Sequence, residues 1–193
     1  MNKKFIIIAI VCLVIALIGG IFIYQNSKKS DNETNNEEET NQDLTADWVI
    51  YKSPTRGYQI KHPADWTMDD TGEIYQQSDV LMAPDKNAAI VITIFQDLRI
   101  LEPNGIETIV KEVEDAFAND QNHVVKTFEK GTEGYVTGGS YSDGTENWAF
   151  KEVGVYMLDG IGVNVRANTK QEMAIKYGKT LDAIIESFKS IGE

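Results

Sequence analysis

Ala88–Phe95 reads AAIVITIF, apolar at every position but Thr93. A strand with one wet face alternates apolar and polar residues, so this stretch is expected in the middle of a sheet, covered on both sides. Three layers follow from that reading. Upstream, Val80–Ala83 is a brief strand stopped by Pro84. Downstream, Asn104 with Glu107 three residues on marks a helix start, and Ile106, Ile109, Val110, Val113 and Phe117 recur at helical spacing. Glu107, Lys111, Glu112, Glu114 and Asp115 form its solvated side.

Further toward the N-terminus, Trp48–Lys52 and Tyr58–His62 are rich in aromatic and β-branched residues and are separated by the turn-forming Ser53–Gly57. They read as a hairpin. Pro63 keeps His62 extended and ends the strand, and Trp66 closes a tight Pro-Ala-Asp-Trp corner. Toward the C-terminus, Val124–Phe128, Tyr135–Tyr141, Asn147–Leu158 and Ile161–Ala167 are joined at Lys130-Gly131, Asp143-Gly144 and Asp159-Gly160, which predicts an antiparallel meander. Trp148 and Phe150 share one phase while Val153, Val155 and Met157 fall in the other, so a bulge near Glu152–Gly154 is expected. In the last strand Ile161, Val163, Val165 and Ala167 point inward, Asn164 and Arg166 outward. Thr169 with Glu172 makes a capping box for a final helix with the stripe Met173, Tyr177, Leu181, Ile184, Ile185 and Phe188. The expected class is α/β of the α+β kind: an α/β/α sandwich with a central, mostly antiparallel sheet and helices on both faces.

The chain leaves this pattern at its N-terminal end. Phe5–Tyr24 is twenty residues without a charge behind Lys3 and Lys4, and as a helix it would cover roughly 30 Å, the thickness of a bilayer's hydrocarbon core. A secretory signal has a shorter apolar core, about 7–15 residues, and then a small-x-small cleavage site. Gly19 and Gly20 are the only small pair near the end and lie inside the run, so an uncleaved transmembrane signal-anchor is favoured over a cleaved signal. A first span followed by a long domain places the N-terminus inside and the domain outside the cytoplasmic membrane, single-pass. Cys12, the only cysteine, sits mid-run after Val11; it reads as a small apolar side chain, and a disulfide within the chain is excluded. Residues 25–46, QNSKKSDNETNNEEETNQDLTA, hold one large aliphatic residue and read as a disordered acidic linker spanning ~25 Å. The expected organisation is an anchor at 1–24, the linker at 25–46 and an extracytoplasmic domain at 47–193.

From Asp47 onward 14 lysines and arginines face 24 acidic residues, a balance of −10. Nucleic acid and anionic lipid surfaces are polyanions that require a basic patch, so neither is expected as a partner of the domain. Basic or neutral partners are.

The opening YKSPTRGYQIKHPADWTM, with Gly57, Tyr58, Ile60, Pro63 and Trp66 in a Gly-aromatic-x-Ile-x-x-Pro-x-x-Trp pattern, resembles the start of PsbP-like (PsbP/DcrB-like) domains. IIESFKSI at Ile184–Ile191 resembles their closing helix, and the likeness covers roughly residues 48–191. The resemblance implies an α/β/α sandwich in which Tyr58 and Ile60 enter the core, Pro63 sets the corner and Trp66 plugs it. That family includes extrinsic photosystem II subunits and bacterial envelope proteins, which implies an accessory or binding role at a membrane. The anchor and acidic linker depart from the plant lumenal form and suit a membrane-anchored bacterial one. No metal ligand carries over residue by residue.

Candidate chemistry is sparse. His62 and His123 sit at separate strand ends without zinc-ligand spacing. Ser140 in Gly138-Gly139-Ser140-Tyr141-Ser142 lies in a strand, not in a nucleophile elbow, and the two glycines mark a bulge or a close approach by the covering helix. Asp65, Asp69, Asp70 and Glu73 share a loop with Gly72, and carboxylate oxygens suit a hard cation; Asp69, Asp70 and Glu73 are the weak metal candidates against a solvated acidic turn. No catalytic residue and no cofactor are expected. The reading is a non-catalytic accessory or protein-interaction module with a partner in the cell envelope. Two alternatives stay open: a carrier of a small ligand or Ca-type cation, and an enzyme whose site assembles from distant strands.

Overall fold

Strand β5 (Ala88–Gln96) runs between β4 (Ser78–Met82) and β9 (Ile161–Lys170), antiparallel to both. The computed structural model describes residues 44–72, 78–157 and 159–191, and Asp47–Glu193 forms one compact unit. The apolar segment 5–24 and the linker up to residue 43 lie outside the described residues. Among the described residues no helix is long and apolar enough to cross a membrane.

Around β5 the sheet continues in the order β3 (Thr67–Asp69), β4, β5, β9, β8 (Asn147–Tyr156), β7 (Gly134–Ser142), β6 (His123–Gly131), with every pairing antiparallel. The last four strands are the expected meander. Helix α1 (Gly105–Asn119) follows β5 and a short 3-10 turn at Leu98–Leu101; helix α2 (Ala174–Ser187) follows β9. The fold is α+β, a mostly antiparallel sheet with two helices.

Alternation along β5 explains the layers. Ile90 and Ile92 have no exposed surface and pack with Val163 and Val165 of β9 under Leu181, Ile184 and Ile185 of α2. On the opposite face Phe95, Tyr156, Tyr135 and Phe128 meet Ile100 and, from α1, Ile109 and Val110. Large rings fit there because two strand residues lack a Cβ. Tyr135 lies over Gly154 and Phe95 over Gly162, and an added Cβ at either glycine would run into the ring.

Four expectations change in the structure. Strand β8 keeps an unbroken register against β7 and β9, so there is no bulge at Glu152–Gly154. Its phase change has another cause: both faces are buried, Phe150, Glu152 and Tyr156 on one and Val153 on the other. The bulge lies in β6 between Val125 and Thr127, opposite Gly138 and Gly139. Asn104 occupies the N-cap of α1 in a left-handed conformation, φ 61°, and makes no side-chain cap, which needs an extended backbone at that position. Thr169 is still in β9, its hydroxyl donating to the Asn87 carbonyl, so α2 starts later, after a 3-10 turn at Gln171–Met173. That helix then stops at Ser187. Phe188 turns extended and stacks on Tyr58 at 5.3 Å, and the last residues become β10 (Lys189–Ser190) instead of helix to Ile191.

A separate three-stranded sheet, β1 (Val49–Lys52), β2 (Tyr58–His62) and β10, contains the expected hairpin. Tyr58 and Ile60 are buried, the Trp66 amide closes the corner on the Pro63 carbonyl at 3.1 Å, and the Trp66 ring meets Tyr177 edge-on. Tyr58 also pins this sheet to the large one. Its hydroxyl donates to Asp79 Oδ2 at 2.5 Å, while Arg56 Nε stands 3.0 Å from Oδ1 of the same fully buried carboxylate. Burial, and then the hydrogen bond to Asp79, hold the Tyr58 hydroxyl pKa well above the ordinary tyrosine range. Tyr58→Phe would keep the ring and strand an oxygen of Asp79, which should lower stability by ~1–3 kcal/mol in urea unfolding. An unchanged midpoint would show that the carboxylate finds another donor.

Candidate functional site

Of the three weak metal candidates, Asp69 and Asp70 fall within the described residues, and each carboxylate meets a neighbouring side chain. Asp69 Oδ1 accepts from the amide and hydroxyl of Thr71, and Asp70 Oδ2 accepts from the Tyr51 hydroxyl at 2.8 Å. Asp65 is exposed on the preceding corner, and Glu73 lies outside the described residues. Among the described residues no three His, Cys, Asp or Glu side chains come together as metal ligands. His62 is buried, with Nδ1 2.8 Å from the Pro63 carbonyl. Ser140 sits in β7 between Ala149 and Val124.

The most polar place in the described fold is one that the linear sequence did not single out. Antiparallel register puts Arg166 of β9 beside Glu152 of β8, and His123 of β6 beside Tyr141 of β7, all on the face that carries α1. The residue expected to point outward therefore points under cover: Arg166 has 24% of its side chain exposed. Its guanidinium carbon stands 4.5 Å from the centre of the Phe150 ring and 5.0 Å from that of Tyr141, within the range of a cation–π contact. Nη2 donates to His123 Nε2 at 2.9 Å, Nε donates to Asn168 Oδ1 at 3.1 Å, and Nη1 lies 3.6 Å from Glu152 Oε2.

Because a guanidinium only donates, His123 Nε2 must accept. The ring proton then belongs on Nδ1, which points at Asp120 Oδ2 at 2.9 Å. His123 is thereby assigned as a neutral imidazole with both nitrogens in use, stacked on Tyr141 and edge-on to Phe117 and Phe150. The other oxygen of Glu152 accepts from the Tyr135 hydroxyl. Burial, then the Glu152 charge, push the Tyr135 hydroxyl far above its ordinary pKa, and the same two causes raise Tyr156 to about 12. Such a chain of bonds holds Arg166, Glu152 and His123 in fixed positions; it leaves the imidazole no free nitrogen for acid–base work.

A concave feature lies at the start of α1. A groove of about 890 Å³ runs between the 3-10 turn, the first turns of the helix and the β6–β7 turn, with Ile100, Leu101, Ile106 and Val110 as apolar lining and Lys111 and Lys130 among its polar residues. Both lysines are paired, with Asp115 at 2.6 Å and Glu114 at 2.5 Å.

Two aspartates near the cluster tie it to pH. The Asp120 carboxyl is held below the ordinary range by the Asn122 amide and then by His123; Asp143 is held lower by the Thr145 hydroxyl and by the Glu146 and Thr145 amides, with the Trp148 indole also donating. A carboxylate with a depressed folded pKa stabilises the fold above its unfolded value, 3.8, and that stabilisation disappears as pH falls through the folded value. Urea midpoints should therefore be level across neutral pH and fall below about pH 4. The Asp120→Asn, Asp143→Asn double variant should show a shallower acid limb; a limb of equal slope would assign the loss to other groups.

Comparison with known proteins adds the fold context. A family model described as PsbP-like protein matches residues 5–136. Cyanobacterial PsbP (CyanoP) from Synechocystis sp. PCC 6803 has a similar solution structure, with TM-score 0.50 and 13% identity over 75% of this chain and 93% of that one. LpqN, described as involved in cell envelope biogenesis of Mycobacterium tuberculosis, gives 0.49 and 13% over 75% and 91%. A crystal structure from Bacteroides thetaiotaomicron gives 0.48 and 11% over 75% of this chain and 48% of that one, so this chain spans about half its length. At 13% identity the likeness to CyanoP is one of fold. No curated protein matches in sequence.

Proposed function

This chain belongs to the PsbP-like protein family, and on that premise we propose that it is a membrane-tethered, extracytoplasmic α/β/α sandwich that acts by binding and not by catalysis. The observation that carries the reading is the internal engagement of the polar cluster. Both nitrogens of His123 and both oxygens of Glu152 are turned onto neighbouring side chains. Groups held this way build a rigid surface. Support for the tether comes from the twenty uncharged residues Phe5–Tyr24, and for reach from the polar stretch 25–46 that follows. The partner is a component of the cell envelope, and nucleic acid is not one.

The test is fractionation of cells that express the full chain with a C-terminal tag. The chain should pellet with membranes, resist an alkaline wash, and lose its tag to protease added outside intact spheroplasts. Recovery from the medium of a chain that begins after residue 24 would overturn the tether.

The groove at the start of α1 favours a second reading, that of a small-ligand carrier, because its volume falls in the range of known ligand pockets, roughly 300–1,000 Å³. Calorimetric titration with Ca²⁺ and with soluble short-chain lipids decides it. Heat of binding that is lost in an Ile106→Glu variant would support the groove, and flat traces would remove it.

A further inference from the structure

The small sheet has an outer face whose composition the net charge conceals. Cross-strand partners share a face, and the register pairs Ile50 with Lys61, Lys52 with Gln59, and Gln59 with Lys189. Tyr58 and Ile60 point the other way, into the core. The outer face thus presents Lys52, Gln59 and Lys189 in one row across three strands, with Ile50 and Lys61 in the next row. All three lysines are exposed, and Ile50 has 53% of its surface in solvent. None of the three forms an ion pair among the described residues, whereas Lys111, Lys130, Lys151, Lys170 and Lys176 each hold a carboxylate. The remaining lysines of the described domain without an ion pair, Lys86, Lys126 and Lys179, lie apart from one another, in the β4–β5 turn, on β6 and on α2.

We propose that this face lies on the anionic headgroups of the bilayer that holds the apolar segment. The proposal rests on the tether reading for its geometry. Strands are ~4.8 Å apart and residues on one face ~7 Å apart, so the three ammonium groups fit within about one Debye length and act on a charged surface together. A lysine near an anionic leaflet is worth about fivefold in partitioning, and three give about 100-fold. Ile50 beside them is placed to enter the headgroup region, as aliphatic residues of interfacial elements do.

Continuity with the tether selects the bilayer over an acidic protein. On the tether reading, 24 residues separate Tyr24 from Val49, the first residue of β1, so the small sheet holds the strand joined most directly to the apolar segment. The remaining charge favours one orientation. A domain of net −10 is repelled by an anionic leaflet everywhere except at a basic face, so that face is the one that can approach. The expectation that the domain avoids anionic lipid rests on its average charge, and the proposal makes this sheet the exception.

The experiment uses the full chain in vesicles of phosphatidylcholine alone or with about a third phosphatidylglycerol, labelled with a membrane-impermeant amine reagent. Lys52, Lys61 and Lys189 should label at least ~5-fold more slowly in the anionic vesicles, the difference should vanish at high salt, and Lys86, Lys126 and Lys179 should change little. Equal labelling of the three lysines in both vesicles overturns the proposal, as does protection that survives high salt. Flotation with the neutral vesicles reads the apolar segment separately. Failure to float, with protection by added anionic vesicles retained, removes the tether and leaves the basic face standing.

Discussion

The nine-residue pairing of β5 with β9, Ala88–Gln96 against Ile161–Thr169, is the joint on which the rest of the domain depends. Strands before it belong to the N-terminal half of the sheet, and the strands beyond it form the C-terminal meander. Neither half alone closes a core, because each of the two clusters draws residues from both. Joined, they make a seven-stranded sheet whose alternating residues build two clusters, one under α2 and one under α1. A slip of one residue in this pairing would send Val163 and Val165 to the α1 side and Asn164 and Arg166 into the main core.

Buried polar groups then limit the ways in which the layers can dock. Asp79 accepts from Tyr58 of β2 and is ion-paired with Arg56 of the β1–β2 turn, so the two sheets meet in one register. Arg166 makes a similar demand on the other face, where Asn168, His123, Phe150 and Tyr141 must all be in place around the guanidinium. Unpaired buried charges are expensive, so each arrangement disfavours alternatives more than it adds net stability.

The distribution of charge matters more for function than its sum. Most cations of the domain are matched to carboxylates at close range, on α1, on the β8–α2 contact and around the β7–β8 turn. The small sheet departs from this, with three lysines brought to one face by strand pairing. Binding surfaces of tethered domains need little intrinsic affinity, because attachment already supplies a high local concentration.

Sequence alone determined the elements whose signal is local. The two-faced run Ala88–Phe95, the hairpin at Tyr58–His62, the turns at Asp143-Gly144 and Asp159-Gly160, and the helical stripe from Ile106 to Phe117 were legible because periodicity and turn chemistry reside within a few residues. The PsbP-like resemblance was legible for a related reason, since Tyr58, Ile60, Pro63 and Trp66 lie within nine residues of one another. Strand β10 and the early stop of α2 were not, because the contact that ends the helix, Phe188 on Tyr58, joins residues far apart in the chain. Nor was the phase of β8, where burial on both faces imitates a bulge. The Arg166 cluster and the basic face were decided by tertiary structure alone. Each gathers side chains from three or more strands, and which side chains become neighbours is fixed by sheet order and register, quantities that no single segment encodes.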